Sequence, residues 1–339
     1  MSEHDMEETA LQLVAASKGI LAADESTGTI QKRLDSIGVV STEESRRDYR
    51  EMLFTADGIS DYISGVILYD ETLRQSAKDG RRLADVLSDQ GIIPGIKVDM
   101  GAKELAFTDG ELVTEGLDGL RERLAEYYKL GARFAKWRAV ISIGDTAPSE
   151  YCIATNAHAL ARYAALCQEA NIVPIVEPEI LMDGSHSIDE CYAVTETTLK
   201  AVFDELYKQR VVLEQMLLKP NMVISGKDCP EQADAGEVAA KTIYCFEQTV
   251  PVSVPGIVFL SGGQSETNAT ENLNVMNQMD SHSWEISYSY GRALQSSALK
   301  AWGGKDENIK AGQDAFIHRA KLASAARDGK YSPEMETAS

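Results

Sequence analysis

Eight short apolar runs recur along the chain, each followed by polar or charged residues: Gly19 to Ala23, Val66 to Tyr69, Ile92 to Val98, Ala132 to Trp137, Ile172 to Val176, Met216 to Leu218, Gly256 to Leu260 and Ile286 to Tyr290. Apolar runs of this length, bounded by polar residues, read as buried strands. With Asp24, Asp70, Asp99, Trp137, Glu177, Lys219, Ser261 and Ser289 as their ends, successive strands finish between 28 and 46 positions apart. That spacing suits one strand plus one crossover helix, which makes neighbouring strands parallel. Tyr151 to Ala170, Ile188 to Arg210 and Ala233 to Gln248 carry apolar residues at three- and four-residue steps and supply such helices. Ser41 with Glu44, and Ser187 with Glu190, have the Ser-x-x-Glu form of a capping box. Eight such units favour an α/β fold of the closed (β/α)₈ TIM-barrel type; an open doubly wound sheet is the alternative, because periodicity does not reveal closure.

No internal repeat or Pro/Gly/Ser linker divides the 339 residues, so residues 1–327 are expected to form one domain. Residues 328–339, polar with Gly and Pro, are expected to be a mobile tail. The 33 Lys and Arg against 53 Asp and Glu give a formal charge of -20. Such a field repels nucleic acid and anionic membranes, and an anionic substrate needs a local basic cluster to bind. The acidic, polar start from Met1 to Thr9 resembles neither a signal nor a transit peptide. The apolar runs fall far short of the roughly 20 residues that cross a membrane. Five cysteines stand singly, with no C-x-x-C, which fits reduced thiols and a cytoplasmic location.

The residues closing the runs are unusually polar: Asp24, Lys97, Asp99, Lys136, Arg138, Glu177, Glu179, Lys219 and Ser261. In parallel barrels the reacting groups project from these strand ends. Singly, each reads as an ordinary solvated charge. Lys97, Lys136 and Lys219, however, interrupt or close apolar strands, where desolvation must be offset by a partner or favours the neutral amine. A neutral amine attacks a ketone to form a Schiff base. Lys219, in Met216-Leu-Leu-Lys-Pro220, is the candidate nucleophile; taken alone the segment reads better as a lysine snorkelling to solvent, and its company shifts the balance. Lys136 supplies a second cation, and Glu177, between them in chain order, can pass protons. Leu260-Ser-Gly-Gly263 and Ser289-Tyr-Gly-Arg292 end the seventh and eighth strands in small residues that expose backbone N–H groups to an anion, and Arg292 adds a fork of donors. Alone each is simply a turn; together they sit where barrels often bind phosphate. His4, His158, His186, His282 and His318 are scattered without ligand spacing, so neither a metal nor any other cofactor is expected.

Seven segments then carry a resemblance: Gly19-Ile-Leu-Ala-Ala-Asp-Glu-Ser-Thr-Gly28, Ile96-Lys-Val-Asp99, Ala135-Lys-Trp-Arg138, Ile175-Val-Glu-Pro-Glu179, Leu218-Lys-Pro-Asn-Met222, Phe259-Leu-Ser-Gly-Gly-Gln-Ser265 and Ser287-Tyr-Ser-Tyr-Gly-Arg-Ala-Leu294. In this order, from about Gly19 to about Trp302, the chain closely resembles the class I fructose-bisphosphate aldolases. The resemblance implies a (β/α)₈ barrel, a homotetramer, and reversible cleavage of fructose 1,6-bisphosphate through a Schiff base on Lys219, in glycolysis and gluconeogenesis. It implies that Glu177 handles the protons of carbinolamine chemistry, that Lys136 supports it electrostatically, and that Asp24 serves the C4 hydroxyl. By the same matching, Ser261, Gly262, Gly291 and Arg292 would hold the phosphate of the dihydroxyacetone half. Ser26, Thr29 and Lys97 would meet the far phosphate, with Arg138 and Glu179 lining the site. Sedoheptulose 1,7-bisphosphate or fructose 1-phosphate are alternative substrates for such a site, and a protein-binding scaffold role alongside catalysis is open. One departure stands out: the best-known members end in a tyrosine that assists proton exchange at C3, whereas this chain ends Met335-Glu-Thr-Ala-Ser339, with Tyr331 inside the tail.

Overall fold

The computed structural model describes residues 3–279 and 282–337. Eight strands, β1 (Gly19–Ala23), β2 (Ile63–Leu68), β3 (Ile93–Lys97), β4 (Phe134–Ile141), β5 (Val173–Ile180), β6 (Leu217–Leu218), β7 (Gly256–Phe259) and β8 (Glu285–Tyr290), pair in chain order into a closed barrel. All eight ladders are parallel, and β8 returns to β1 with Ile20 opposite Ser289 and Leu21 opposite Tyr290. The sheet therefore closes, and the open alternative is excluded.

Alternation along each strand decides what faces where. Ile20, Ala22, Ile67, Phe134, Val173, Ile175, Leu217 and Val258 form one apolar cluster inside the barrel. The intervening residues, such as Leu21, Ala23, Val66, Leu68, Ala135 and Leu218, pack outward in a cluster shared with the helices. Both faces are buried, so the strands read as continuous apolar runs rather than alternating ones. The interior is tight: a Cβ on Gly95 would stand 2.3 Å from the Phe134 ring, and one on Gly65 would stand 2.6 Å from Leu13 Cδ2.

Among the elements that the sequence reading does not anticipate, two lie at the ends of the barrel. The helix Glu3–Leu13 closes the N-terminal floor of the barrel, where Met6, Ala10, Leu13 and Val14 complete the interior cluster. A small antiparallel hairpin, Ala102–Glu104 with Leu112–Thr114, follows β3. β2 begins at Ile63 rather than Val66, because Ser64 and Gly65 hide in the run; the Ser64 hydroxyl donates to Leu13 O and Gly19 O and so can be buried. β4 and β5 continue through Ile141 and Ile180, so Lys136, Arg138, Glu177 and Glu179 lie within strands instead of ending them.

The expected helices stand at Glu150–Glu169, Ile188–Lys208 and Ala235–Thr249. Ser187 and Glu190 form the expected capping box. The earlier box sits one residue later than expected, at Thr42 and Ser45. The Ser45 hydroxyl accepts from Thr42 N at 2.9 Å and reaches Val40 O at 2.9 Å, a double role the Glu44 carboxylate could not fill. Within the expected tail, Pro333–Glu336 forms a 3₁₀ turn and Tyr331 is buried. Residues 338–339 lie outside the described residues. Among the described residues no helix is long and apolar enough to cross a membrane.

Candidate active site

The two-residue period that places Ile20, Phe134, Val173 and Leu217 inside the barrel continues past the apolar part of each strand. Carried forward, it turns Asp24, Lys136, Arg138, Glu177, Glu179 and Lys219 inward as well, one layer nearer the C-terminal mouth. A cleft of about 1150 Å³ opens there, and all six line it. Ser26, Thr29, Lys97, Ser261, Gly262, Gly291 and Arg292 complete the expected set, and every one of them lines the same cleft.

Register brings the charged groups together. Lys136 pairs with Lys97 on one side and Ile175 on the other, Arg138 lies opposite Glu177, and Ile175 lies opposite Leu217. Glu177 consequently sits between two lysines: its Oε1 is 3.1 Å from Lys219 Nζ and its Oε2 is 3.1 Å from Lys136 Nζ. Lys136 Nζ also lies 2.7 Å from Asp24 Oδ2. Lys136, Glu177 and Lys219 are each less than 5% exposed, so these charges interact through protein rather than water.

Burial pushes the Asp24 carboxyl up, but Lys136 and then Lys219 overcome it and hold Asp24 well below the usual carboxylate range. Glu177 is lowered in the same way: burial opposes its charge, and Lys136, Lys219 and Arg138 outweigh burial. For Lys136 burial favours the neutral amine, yet Asp24, Glu177 and Asp99 keep it a cation far above the ordinary lysine range. Glu177 Oε2 is buried without an aligned hydrogen-bond donor and so retains capacity for an incoming hydroxyl.

The mouth has further turns whose backbone N–H groups lie at strand ends and helix starts. Gly262 and Gly263 adopt φ of +57° and +91°, a left-handed turn open to glycine. Gly291 precedes the helix Arg292–Trp302, whose first N–H groups have no side-chain cap, and a Cβ at Gly291 would stand 3.3 Å from Ala22 O. The turns touch, since a Cβ on Gly263 would come 3.3 Å from Arg292 Nη2. Across the cleft, Ser26 precedes the helix Thr27–Asp35, again without a side-chain cap, and its hydroxyl lies 3.1 Å from that of Thr29.

Several participants were missed from the sequence. Asp99, noted only as a strand end, accepts from Lys97 Nζ at 2.6 Å, from Gly101 N at 3.1 Å and from Arg138 N at 3.3 Å. Behind Asp24, Gln295 donates to Ala22 O and to Glu25 Oε1, Arg33 pairs with Glu25, and buried Arg50 donates to Glu25 O. Arg138 pairs with Glu179. The inward parity of Asp99 with Lys97 was a usable signal; Gln295 and Arg50 sit on helices, and nothing in their local pattern distinguishes them. Tyr331 is not among the residues lining the cleft; its hydroxyl donates to Glu336 at 2.9 Å. No cluster of three or more His, Cys, Asp or Glu among the described residues is arranged to hold a metal.

The profile of the family described as fructose-bisphosphate aldolase class-I matches residues 5–339. A protein of Xanthomonas campestris pv. campestris named as a probable fructose-bisphosphate aldolase class 1 is 58% identical over 333 residues, covering 98% of this chain and 99% of its own. The cytoplasmic isozyme 2 of fructose-bisphosphate aldolase from Pisum sativum is 56% identical, covering 93% of this chain and 88% of its own. The solved aldolase of Plasmodium falciparum, in a complex with TRAP and a small-molecule inhibitor, superposes with a TM-score of 0.96 at 49% identity, covering 97% of this chain and 95% of that one. Matched along its length in both sequence and fold, the chain belongs to the class-I fructose-bisphosphate aldolase family.

Proposed function

We propose that this cleft reversibly cleaves fructose 1,6-bisphosphate to dihydroxyacetone phosphate and glyceraldehyde 3-phosphate through an imine on Lys219, serving glycolysis and gluconeogenesis. The observation that carries the reading is the Glu177 carboxylate lying between Lys219 and Lys136, with Asp24 on the far side of Lys136. Glu177, held ionised by the neighbouring lysines, takes a proton from the Lys219 ammonium and leaves a neutral amine. The amine nitrogen attacks the ketone carbon, C2, and the former carbonyl oxygen becomes a carbinolamine hydroxyl. Glu177 returns its proton to that hydroxyl, the C2–O bond breaks, water leaves and an iminium remains.

Asp24 then accepts the C4 hydroxyl proton as the C3–C4 bond breaks. The electron pair of that bond moves into the iminium, giving an enamine, and the aldehyde departs. Protonation at C3, matched by loss of the proton that Asp24 took up, and hydrolysis of the iminium by water release dihydroxyacetone phosphate and restore the amine and the Asp24 carboxylate. The C3 proton step is slow or uses another group than a terminal tyrosine, and the hydrogen bond from Tyr331 to Glu336, away from the residues lining the cleft, supports that reading. Lys136 stays charged throughout and stabilises both carboxylates as they exchange protons.

Ser261, Gly262, Gly291 and Arg292 hold the phosphate of the dihydroxyacetone half, with N–H groups and a guanidinium meeting its oxygens. Ser26, Thr29 and Lys97 hold the far phosphate; Lys97 Nζ also donates to Asp99, which positions its ammonium at the mouth. Arg138 and Glu179 shape the wall between them. The family resemblance supports a homotetramer, and the unpaired cysteines and the cytoplasmic name of the pea relative support a cytoplasmic location.

Borohydride reduction with dihydroxyacetone phosphate, followed by peptide mapping, tests the mechanism. The expected result is one covalent adduct, on Lys219; an adduct on any other lysine, or none, sinks it.

A further inference from the structure

The Ser261–Gly262 and Gly291–Arg292 turns can grip one phosphate only if the helices that follow them keep a fixed separation. Those helices, Glu266–Gln278 and Arg292–Trp302, are joined by a single carboxylate that does not line the cleft. Glu266 Oε1 accepts from Ser297 N at 3.0 Å, and Glu266 Oε2 accepts from the Ser297 hydroxyl at 2.6 Å. A glutamate in the first turn of a helix ordinarily serves the N–H groups of that same turn. Here both oxygens are spent on another helix. Glu266 stands four residues after Gly262, and Ser297 five residues after Arg292, which is about 7.5 Å of helix rise. The bridge thus crosses between the two helices close behind both turns.

A buried cation fixes the bridge from the outside. Arg319, 4% exposed on the helix Ile309–Arg327, donates from Nη2 to Glu266 O at 3.1 Å and to Thr270 Oγ1 at 2.8 Å. Its Nε lies 4.0 Å from Glu266 Oε2. Nη1 donates to Glu336 Oε2 at 2.6 Å, and the other oxygen of Glu336 accepts from Tyr331. Tyr331 N donates to Asn274 Oδ1, which places the tail on the helix that Glu266 begins. A continuous chain of contacts therefore runs from the tail through Glu336 and Arg319 to Glu266 and Ser297.

We propose that Glu266 is a positioning residue for phosphate recognition: held by Arg319 and the Glu336 tail, it sets the spacing of the two phosphate-binding turns. The proposal rests on the assignment of the dihydroxyacetone phosphate to those turns. Phosphate contacts made equally in ground and transition states appear in KM rather than kcat, so loosening the spacing raises KM selectively.

The test measures KM and kcat for fructose 1,6-bisphosphate in variants of the full chain, with melting temperature alongside. Glu266→Gln, which keeps size but loses an acceptor, is expected to raise KM by about three- to tenfold with kcat within about twofold. Glu336→Gln is expected to shift KM in the same direction and less. Ser297→Ala raises KM, and Ser297→Thr, which restores the hydroxyl, brings it back. In an Arg292→Ala background Glu266→Gln adds little, because both act on one grip. A Glu266→Gln protein with a lowered melting temperature and an unchanged KM overturns the proposal, as does full additivity with Arg292→Ala. If Arg292→Ala alone raises KM while Glu266→Gln does not, the phosphate assignment stands and the positioning role falls. If neither raises KM, the phosphate assignment falls and takes the positioning role with it.

Discussion

Lys136 is the residue on which the charge balance of the cleft turns. Two carboxylates, Asp24 and Glu177, share it at 2.7 Å and 3.1 Å, and both are held below the ordinary carboxylate range by its charge and that of Lys219. Folded-state values below the unfolded ones mean stability that is present above the unfolded carboxylate range and lost as pH falls through the depressed values. In Lys136→Met Asp24 loses its nearest cation while Glu177 keeps Lys219 at 3.1 Å, and burial, which already pushes both carboxyls upward, gains weight, most of all at Asp24. Removing one partner of a buried ion pair costs about 3–5 kcal/mol. The stability gap between the wild type and Lys136→Met should therefore be widest at neutral pH and shrink between pH 7 and pH 4, because the variant's carboxyls, raised by burial, take up protons in that window while those of the wild type, held below it, stay ionised. Urea midpoints at pH 7 and pH 4 measure it; a gap that is the same at both would contradict the assigned charge states. Residues of this kind were legible in the sequence because a charge in an apolar strand is conspicuous. The pairing of Lys97 with Asp99 was not, because spacing says nothing about which of two near neighbours a flexible lysine chooses.

At the scale of elements, the barrel needs a floor as well as a mouth. The helix Glu3–Leu13 supplies it, with Leu13 fully buried against Gly65 and the interior cluster. Leu13→Ala should destabilise the fold by about 2–5 kcal/mol through lost burial and a residual cavity. The proposed catalytic layer lies at the other end of the strands, so kcat for fructose 1,6-bisphosphate should stay near the wild-type value. Chemical denaturation paired with initial rates checks both halves, and a parallel loss of kcat would show that the floor and the mouth are coupled. The sequence did not announce this helix, because its apolar stripe is narrow and most of its remaining positions are polar or acidic; only the open end of the barrel explains what it covers. The Ser187–Glu190 cap was read correctly, since it is a local contact, whereas the earlier cap moved to Thr42 and Ser45 because one serine hydroxyl could satisfy two backbone groups.

For the whole molecule, the sequence carries a formal charge of -20, yet it gathers Lys97, Lys136, Lys219, Arg138 and Arg292 at one opening. That local reversal of sign is what a bisphosphate requires of an acidic protein. Assembly belongs to this scale too: sedimentation equilibrium should give the mass of four 37.0 kDa chains, and a monomer mass would refute the proposed tetramer. What the sequence determined by itself is the set of inward-facing side chains. Side-chain direction in a strand repeats every two residues, so Ile20 commits Asp24 and Leu217 commits Lys219 to the same face before any partner strand exists. What only the tertiary structure decided is which of those side chains meet. β1 and β8 pair across almost the whole chain, with the Ser287 hydroxyl donating to Lys18 O 269 positions away, and no local period contains that closure. Closure and register bring Glu177 between Lys136 and Lys219 and set the turns at Gly262 and Gly291, the proposed phosphate site, side by side, because those contacts are fixed by the packing of distant segments against one another.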